Sequence, residues 1–185
     1  MILASGSPRR KELLHRLIDD FQVVAPEIDE GQFLDLPPHL VPGEISKAKA
    51  RSVARRFPNE EILACDTIVL LHDKILGKPK DMEEAEAMLK EESGQTQTVL
   101  SGYTYIGKGI EITRTVATEV HFAALTPELI TRYLQDKRPL DKAGSYGIQD
   151  GYPLVESIQG SYHNVVGLPL EDIAVHVFGK TLDDK

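Results

Sequence analysis

The run Ile62-Leu63-Ala64-Cys65-Asp66-Thr67-Ile68-Val69-Leu70-Leu71 is apolar and rich in β-branched residues, and a single charge, Asp66, breaks it. Its length and composition read as a buried strand. A carboxylate isolated inside such a strand is costly, so Asp66 must be ion-paired, metal-bound, hydrogen-bonded to a loop or set at an open strand end. In open α/β sheets, ligands gather beyond the carboxyl ends of strands. Working outward, Ile2 to Ser5 reads as a short buried strand. Ser7 is a helix N-cap and Pro8 a first helical residue. Leu13, Leu14, Leu17 and Ile18 then share one helical face to about Asp19. Phe21 to Val24 is a second strand, Pro26 to Pro42 a proline-rich acidic loop, and Glu44 to Phe57 a helix. His72-Asp73-Lys74 is a turn before Ile75-Leu76. Asp81 and Glu84 form a capping-box start for a helix stopped by Ser93-Gly94. Two long strands, Thr96 to Ile106 and Ile110 to Phe122, are joined through Gly107-Lys108-Gly109. Helices follow from Thr126-Pro127 and from Gly167-Leu168-Pro169 to about Phe178. Strands and helices that alternate, with some strands adjacent in sequence, predict an α/β fold with a mixed sheet. There is no repeat or linker, so residues 1–185 are expected to form one domain.

The bulk numbers narrow the function. With 41% hydrophobic and 27% charged residues the chain can bury a core. A net charge of −8 argues against broad binding to a nucleic-acid backbone, which needs a field of Lys and Arg. It leaves open a local basic cluster for one small anion. The lone Cys65 allows no intrachain disulfide. No apolar run approaches the ~20 residues of a membrane span, and Met1 to Ser5 is far too short for a signal peptide. A cytoplasmic protein without membrane contact is expected.

Ser5-Gly6-Ser7-Pro8-Arg9-Arg10-Lys11 joins a strand to a helix start and puts three cations in the first turn. Cations there oppose the helix dipole, by roughly 0.3–1 kcal/mol each when exposed. An anion at the helix start would reverse that penalty, and phosphate is the natural candidate. The plain alternative is a capping Ser7 with solvated cations. The segment lacks the GxxxxGK[ST] pattern of a P-loop.

Other candidates are weaker alone. Glu27, Asp29 and Glu30 are acids at the start of the proline-rich loop, where a hard cation could take one or two carboxylates. Lys49 shares a helical face with Ile45 and Val53, so it points toward the core side; it either reaches a phosphate or snorkels past the core edge. Lys78 sits in the rigid turn Gly77-Lys78-Pro79. The scattered histidines form no HExxH or Cys/His cluster for zinc. Cys65 reads as strand filler, and no GxSxG elbow supports a serine hydrolase.

Taken in order, Ala4-Ser5-Gly6-Ser7-Pro8-Arg9-Arg10, Ile28-Asp29-Glu30, Lys49-Ala50, Ala64-Cys65-Asp66-Thr67-Ile68-Val69, Leu76-Gly77-Lys78-Pro79, Asp141 to Gln149 and Gly160 to Leu170 closely resemble the Maf family. These are nucleotide pyrophosphatases also described as septum-formation inhibitors. The match runs over nearly the whole chain. The resemblance implies a Maf/inosine-triphosphate-pyrophosphatase-like α/β fold: a mixed, bent central sheet flanked by helices, with two lobes around a cleft. It implies hydrolysis of nucleoside triphosphates between the α and β phosphates, with Mg²⁺ or Mn²⁺ as cofactor, and a homodimer.

Carried over by position, Asp66 resembles the general base and Glu30 its acidic partner, both as metal ligands. Ser7, Arg9, Arg10, Lys49 and Lys78 resemble triphosphate contacts. Arg9, Thr67 and Gln149 match the marks of the dTTP/UTP branch. A Gln149 amide can both donate and accept, matching the O4 and N3–H of thymine or uracil. Two departures stand out: Gln97 where relatives often have His, and Asp150 where they often have Gly. The resemblance leaves three other readings: a non-catalytic nucleotide sensor in cell division, a nucleic-acid binder, and a phosphatase that releases orthophosphate.

Overall fold

Alternation along two parallel strands sets the layers. The computed structural model describes residues 1–182, so the last three residues of the expected 1–185 domain lie outside the described residues. Strand β1 (Ile2–Ala4) pairs in parallel with β2 (Gln22–Val24) on one side and with β3 (Ile62–Leu71) on the other. Leu3, Leu63 and Cys65 point into a cluster with Leu13, Leu14 and Leu17 and with Leu170 and Ile173. Ile2, Ala4, Ile62 and Ala64 point the other way, onto Ala50 and Val53. A period of two therefore gives each strand two buried faces, as expected of parallel strands covered by helices on both sides. The helices are α1 (Pro8–Leu14) and α6 (Leu170–His176) on the first face and α2 (Val41–Arg56) on the second.

Among the described residues the sheet has seven strands. Its order is β2-β1-β3-β5-β6-β7, with β5 (Thr96–Gly107), β6 (Ile110–Phe122) and β7 (Val155–Gln159); β4 (Lys74–Leu76) pairs off this path with β3. The β3–β4 and β6–β7 pairs are antiparallel, which makes the sheet mixed, as the sequence predicts. The remaining helices are α3 (Met82–Glu92), α4 (Pro127–Lys137) and α5 (Tyr162–Val166). Two compact units divide the chain: the first is Met1–Thr67, Leu100–Val116 and the residues from His163; the second is Ile68–Val99 and Ala117–Tyr162. No helix among the described residues is long and apolar enough to cross a membrane.

Most expected boundaries hold, and two shift. Helix α1 ends at Leu14 rather than near Asp19, yet Arg16 and Leu17 continue it with tight i→i+3 bonds to Leu13 and Leu14, so Leu17 stays buried. Helix α2 begins at Val41, three residues before the expected Glu44. Pro42 is tolerated because a first-turn residue needs no N–H partner.

A long-range contact explains the small residues there: a Cβ on Gly102 of β5 would lie 2.3 Å from the backbone of Pro42 and Gly43. Backbone cannot swing aside as a side chain can. Gly102→Ala is therefore expected to exceed the usual ~1–3 kcal/mol of overpacking and to lower the melting temperature by several degrees or block folding. Gly77→Ala, where a Cβ meets nothing within 4 Å, is the matched control and should stay within about 0.5 kcal/mol of wild type.

Candidate active site

The register Ala4↔Ala64 ends β1 two residues short of Asp66. Asp66 and Thr67 thus sit just past the carboxyl end of a parallel strand, where α/β sheets gather ligands. Alternation sends their side chains to opposite faces. Asp66 follows Ala64 onto the α2 face, and there Lys49 Nζ donates to its Oδ1 at 2.8 Å. Thr67 follows Cys65 onto the α1 face, and there Arg10 Nη2 donates to its Oγ1 at 3.2 Å. Two helices on two sides of one strand each send one cation to adjacent residues.

Lys49 lies between Ile45 and Val53 on the buried stripe of α2, and all three are almost fully buried. Its ammonium meets a second carboxylate, Glu30 Oε1, at 2.7 Å. Glu30 is half exposed, whereas the Lys49 and Asp66 side chains keep only 8% and 10% of their surface. The three acids at the start of the proline-rich loop therefore separate by role. Glu27 pairs loosely with Arg56 at 3.5 Å. Asp29 caps the 3₁₀ turn Glu30–Phe33 by accepting from Gly31 N. Glu30, first in that turn, alone joins Lys49. Two carboxylates on one ammonium suit a hard cation that takes one or two carboxylates plus phosphate oxygens. Among the described residues no group of three His, Cys, Asp or Glu is placed to hold a metal.

At the start of α1, Ser7 Oγ accepts from Arg10 N at 3.4 Å and Ser5 Oγ accepts from Ser7 N at 3.1 Å. Arg9 is half-buried in the same turn. Arg10 reaches back: besides Thr67, its Nε donates to the Gly167 carbonyl at 2.9 Å. That carbonyl also takes the Cys65 thiol at 3.5 Å and faces Thr67 Oγ1 at 3.4 Å. Gly167 has φ +126°, a backbone that side-chain-bearing residues rarely adopt. Burial pushes the Cys65 thiol pKa up, which keeps it a weak donor, in line with its reading as strand filler. Sequence reasoning missed two members of this cluster, the Gly167 carbonyl and Ser101, whose Oγ lies 2.8 Å from Thr67 Oγ1. A small polar residue inside the buried run of β5 was the available signal for Ser101.

Lys78 and Gln149 belong to the second unit, and both are exposed. Gln149 rides on a tightly held segment. Gly144 N donates to the Gly77 carbonyl, next to Lys78, at 3.1 Å. Tyr133 OH accepts from Gly147 N at 2.9 Å and donates to Asp150 Oδ2 at 2.7 Å. Asp150 folds back over Gly147, where a Cβ would come within 2.7 Å of its carboxylate. The Asp150 departure is thus a brace under Gln149. A cavity of about 240 Å³ in the same unit is lined by Tyr146, Gly147, Ile148, Tyr152, Leu154 and Ile158, among others.

The architecture is that of an α/β protein whose charges gather beyond the carboxyl end of a parallel strand. The chain belongs to the Maf family: the model for Maf-like proteins matches residues 1–177. A dTTP/UTP pyrophosphatase of Pyrococcus furiosus is 47% identical over 92% of this chain and 90% of its own. Proteins of the same name from Clostridium novyi and Thermococcus onnurineus are 44% and 45% identical, covering 97% and 92% of this chain and 96% and 92% of theirs. Among solved structures, a HAM1 protein from Coxiella burnetii is 16% identical with a TM-score of 0.46, over 67% of this chain and 73% of that one.

Proposed function

We propose that this protein hydrolyses nucleoside triphosphates, dTTP and UTP foremost, to the monophosphate and pyrophosphate. The observation that carries the reading is that Arg10 and Lys49 reach the adjacent residues Thr67 and Asp66, from the two faces of the sheet, just past the carboxyl end of β1. The relatives' shared name supports the substrate class. Asp66 takes a proton from the water that attacks the α-phosphorus, and the bond to the bridging oxygen breaks to release pyrophosphate. Lys49 holds Asp66 and Glu30 together and supplies their counter-charge. Ser7, Arg9, Arg10 and Lys78 meet the phosphates as charge builds on the leaving group. Asp66 and Glu30 would hold a divalent cation, Mg²⁺ or Mn²⁺, which would supply positive charge against the phosphates. Gln149, braced by Tyr133 and Asp150 and next in sequence to the cavity residue Ile148, reads the base.

The test is a panel of canonical and modified nucleoside triphosphates with Mg²⁺ or Mn²⁺, scored for pyrophosphate against orthophosphate. Pyrophosphate is expected as the product, with dTTP and UTP turned over fastest. Orthophosphate release would make the protein a phosphatase. Tight binding without turnover would make it a nucleotide sensor, and either result overturns the proposal.

A further inference from the structure

The hydroxyl protons around Arg10 can be counted. Arg10 Nη2 donates to Thr67 Oγ1 at 3.2 Å. Thr67 Oγ1 and Ser101 Oγ lie 2.8 Å apart, and either can be the donor. Two carbonyls lie within reach: Asn164 O is 3.3 Å from Ser101 Oγ and Gly167 O is 3.4 Å from Thr67 Oγ1. Each hydroxyl has one proton and two lone pairs. If Thr67 donates to Ser101, Ser101 donates to Asn164. If Ser101 donates to Thr67, Thr67 donates to Gly167 and both its lone pairs are taken by Arg10 and Ser101. In both arrangements the Thr67 proton is used inside the protein. Thr67 therefore has no hydrogen to offer a base carbonyl, and at most one lone pair to offer any ligand. Meanwhile Arg10 is held at two nitrogens, by Gly167 O at 2.9 Å and by Thr67, and Nη1 takes no part in the network. Ser101 is fully buried, so it bears on a ligand through its neighbours, Thr67 among them, and not by direct contact.

We propose that Thr67 and Ser101 are positioning residues for Arg10: the two hydroxyls and the Gly167 carbonyl hold one edge of the guanidinium so that Nη1 is presented to the phosphates. Thr67 then acts on every nucleotide alike, through Arg10 and the phosphates, and not by direct contact with the base. This rests on the pyrophosphatase reading above.

The test is steady-state kinetics on the full chain with dTTP, UTP and dCTP, for Thr67→Val, Thr67→Ser, Ser101→Ala, Arg10→Lys and the double variant Arg10→Lys/Thr67→Val. Losing a hydrogen bond to a charged group is expected to raise KM roughly tenfold in Thr67→Val. Ser101→Ala should raise it less. In both, the ratio among the three bases should not move, while Thr67→Ser restores the wild-type KM. In the Arg10→Lys background, Thr67→Val should add less than twofold, because residues acting as one unit are not additive. A changed base ratio in Thr67→Val, a full tenfold effect in the Arg10→Lys background, or a wild-type KM in Ser101→Ala would each overturn the proposal. Wild-type turnover decides the underlying reading separately. If it is absent, calorimetric binding of inorganic triphosphate carries the same comparison: equal affinities for wild type and Thr67→Val reject the positioning role.

Discussion

Asp66→Asn is expected to lower pyrophosphate release by roughly 10²–10⁴-fold, the usual contribution of a positioned general base, and to leave the protein folded. The amide is isosteric with the carboxylate and its oxygen can still accept from Lys49 Nζ, now 2.8 Å from Oδ1. What it cannot do is take a proton from water. The Lys49 charge is not abandoned by the change, because Glu30 Oε1 remains 2.7 Å away. Circular dichroism and a thermal melt close to wild type, with turnover lost, are the expected pair of results. A folded Asn variant that keeps wild-type turnover ends the assignment of Asp66 as the base.

Lys49→Met separates charge from chemistry at the same spot. Removing one partner of a buried pair strands the other, at about 3–5 kcal/mol. The half-exposed Glu30 lets water relieve part of this, so the low end applies. Lys49→Met should therefore lose both activity and stability, whereas Asp66→Asn loses activity alone. Combining them should recover much of the lost stability, since no stranded carboxylate then remains at position 66.

The legible part of this site was the part written in periodicity. Spacing of four along α2 put Lys49 on the stripe with Ile45 and Val53, and the lone charge in an apolar strand marked Asp66 as a carboxylate in need of a partner. The plain reading of Lys49, a side chain passing the core edge, gives way to a buried ammonium held by two carboxylates. The Ser7 cap followed from local chemistry and is present. Illegible were the contacts that join distant segments through backbone or small polar atoms. The Gly167 carbonyl meets Arg10 across 157 residues, and a carbonyl carries no side-chain identity by which to find it. Asp150 stood out only as a departure beside Gln149, yet its carboxylate accepts from Tyr133, 17 residues away in sequence. The early start of α2 was hidden because Pro42 looks like a loop residue until Gly102 is known to lie beneath it.

Glu92 produces a large expected change in stability. It closes α3 in a run of charged residues, yet it lies three residues after Leu89, four after Met88 and seven after Ala85, on that helix's buried face. It is fully buried, and among the described residues neither carboxyl oxygen has a hydrogen-bond partner. Its Oε1 lies 2.7 Å from where a Cβ would stand on Gly144, whose φ of +69° itself favours glycine. Burial, aided by the neighbouring Glu91 charge, pushes the Glu92 carboxyl well above its ordinary value of 4.5. The native protein therefore keeps a proton that the unfolded chain releases near the ordinary carboxylate value. Stability is lost as pH rises, beginning near 4.5 and continuing until the buried group ionises. Glu92→Gln preserves shape and removes the titration. Its melting temperature should match wild type near pH 4 and exceed it increasingly toward neutrality. Glu92→Met also removes the unpaired polar atoms, each of which costs about 1–3 kcal/mol when buried. At roughly 2–4 °C per kcal/mol for a chain of this size, it should melt several degrees above wild type at pH 7. Melting curves of the three proteins from pH 4 to pH 8 decide the matter. If wild type and Glu92→Gln run parallel across that range, Glu92 is ionised in the native state and the burial argument fails.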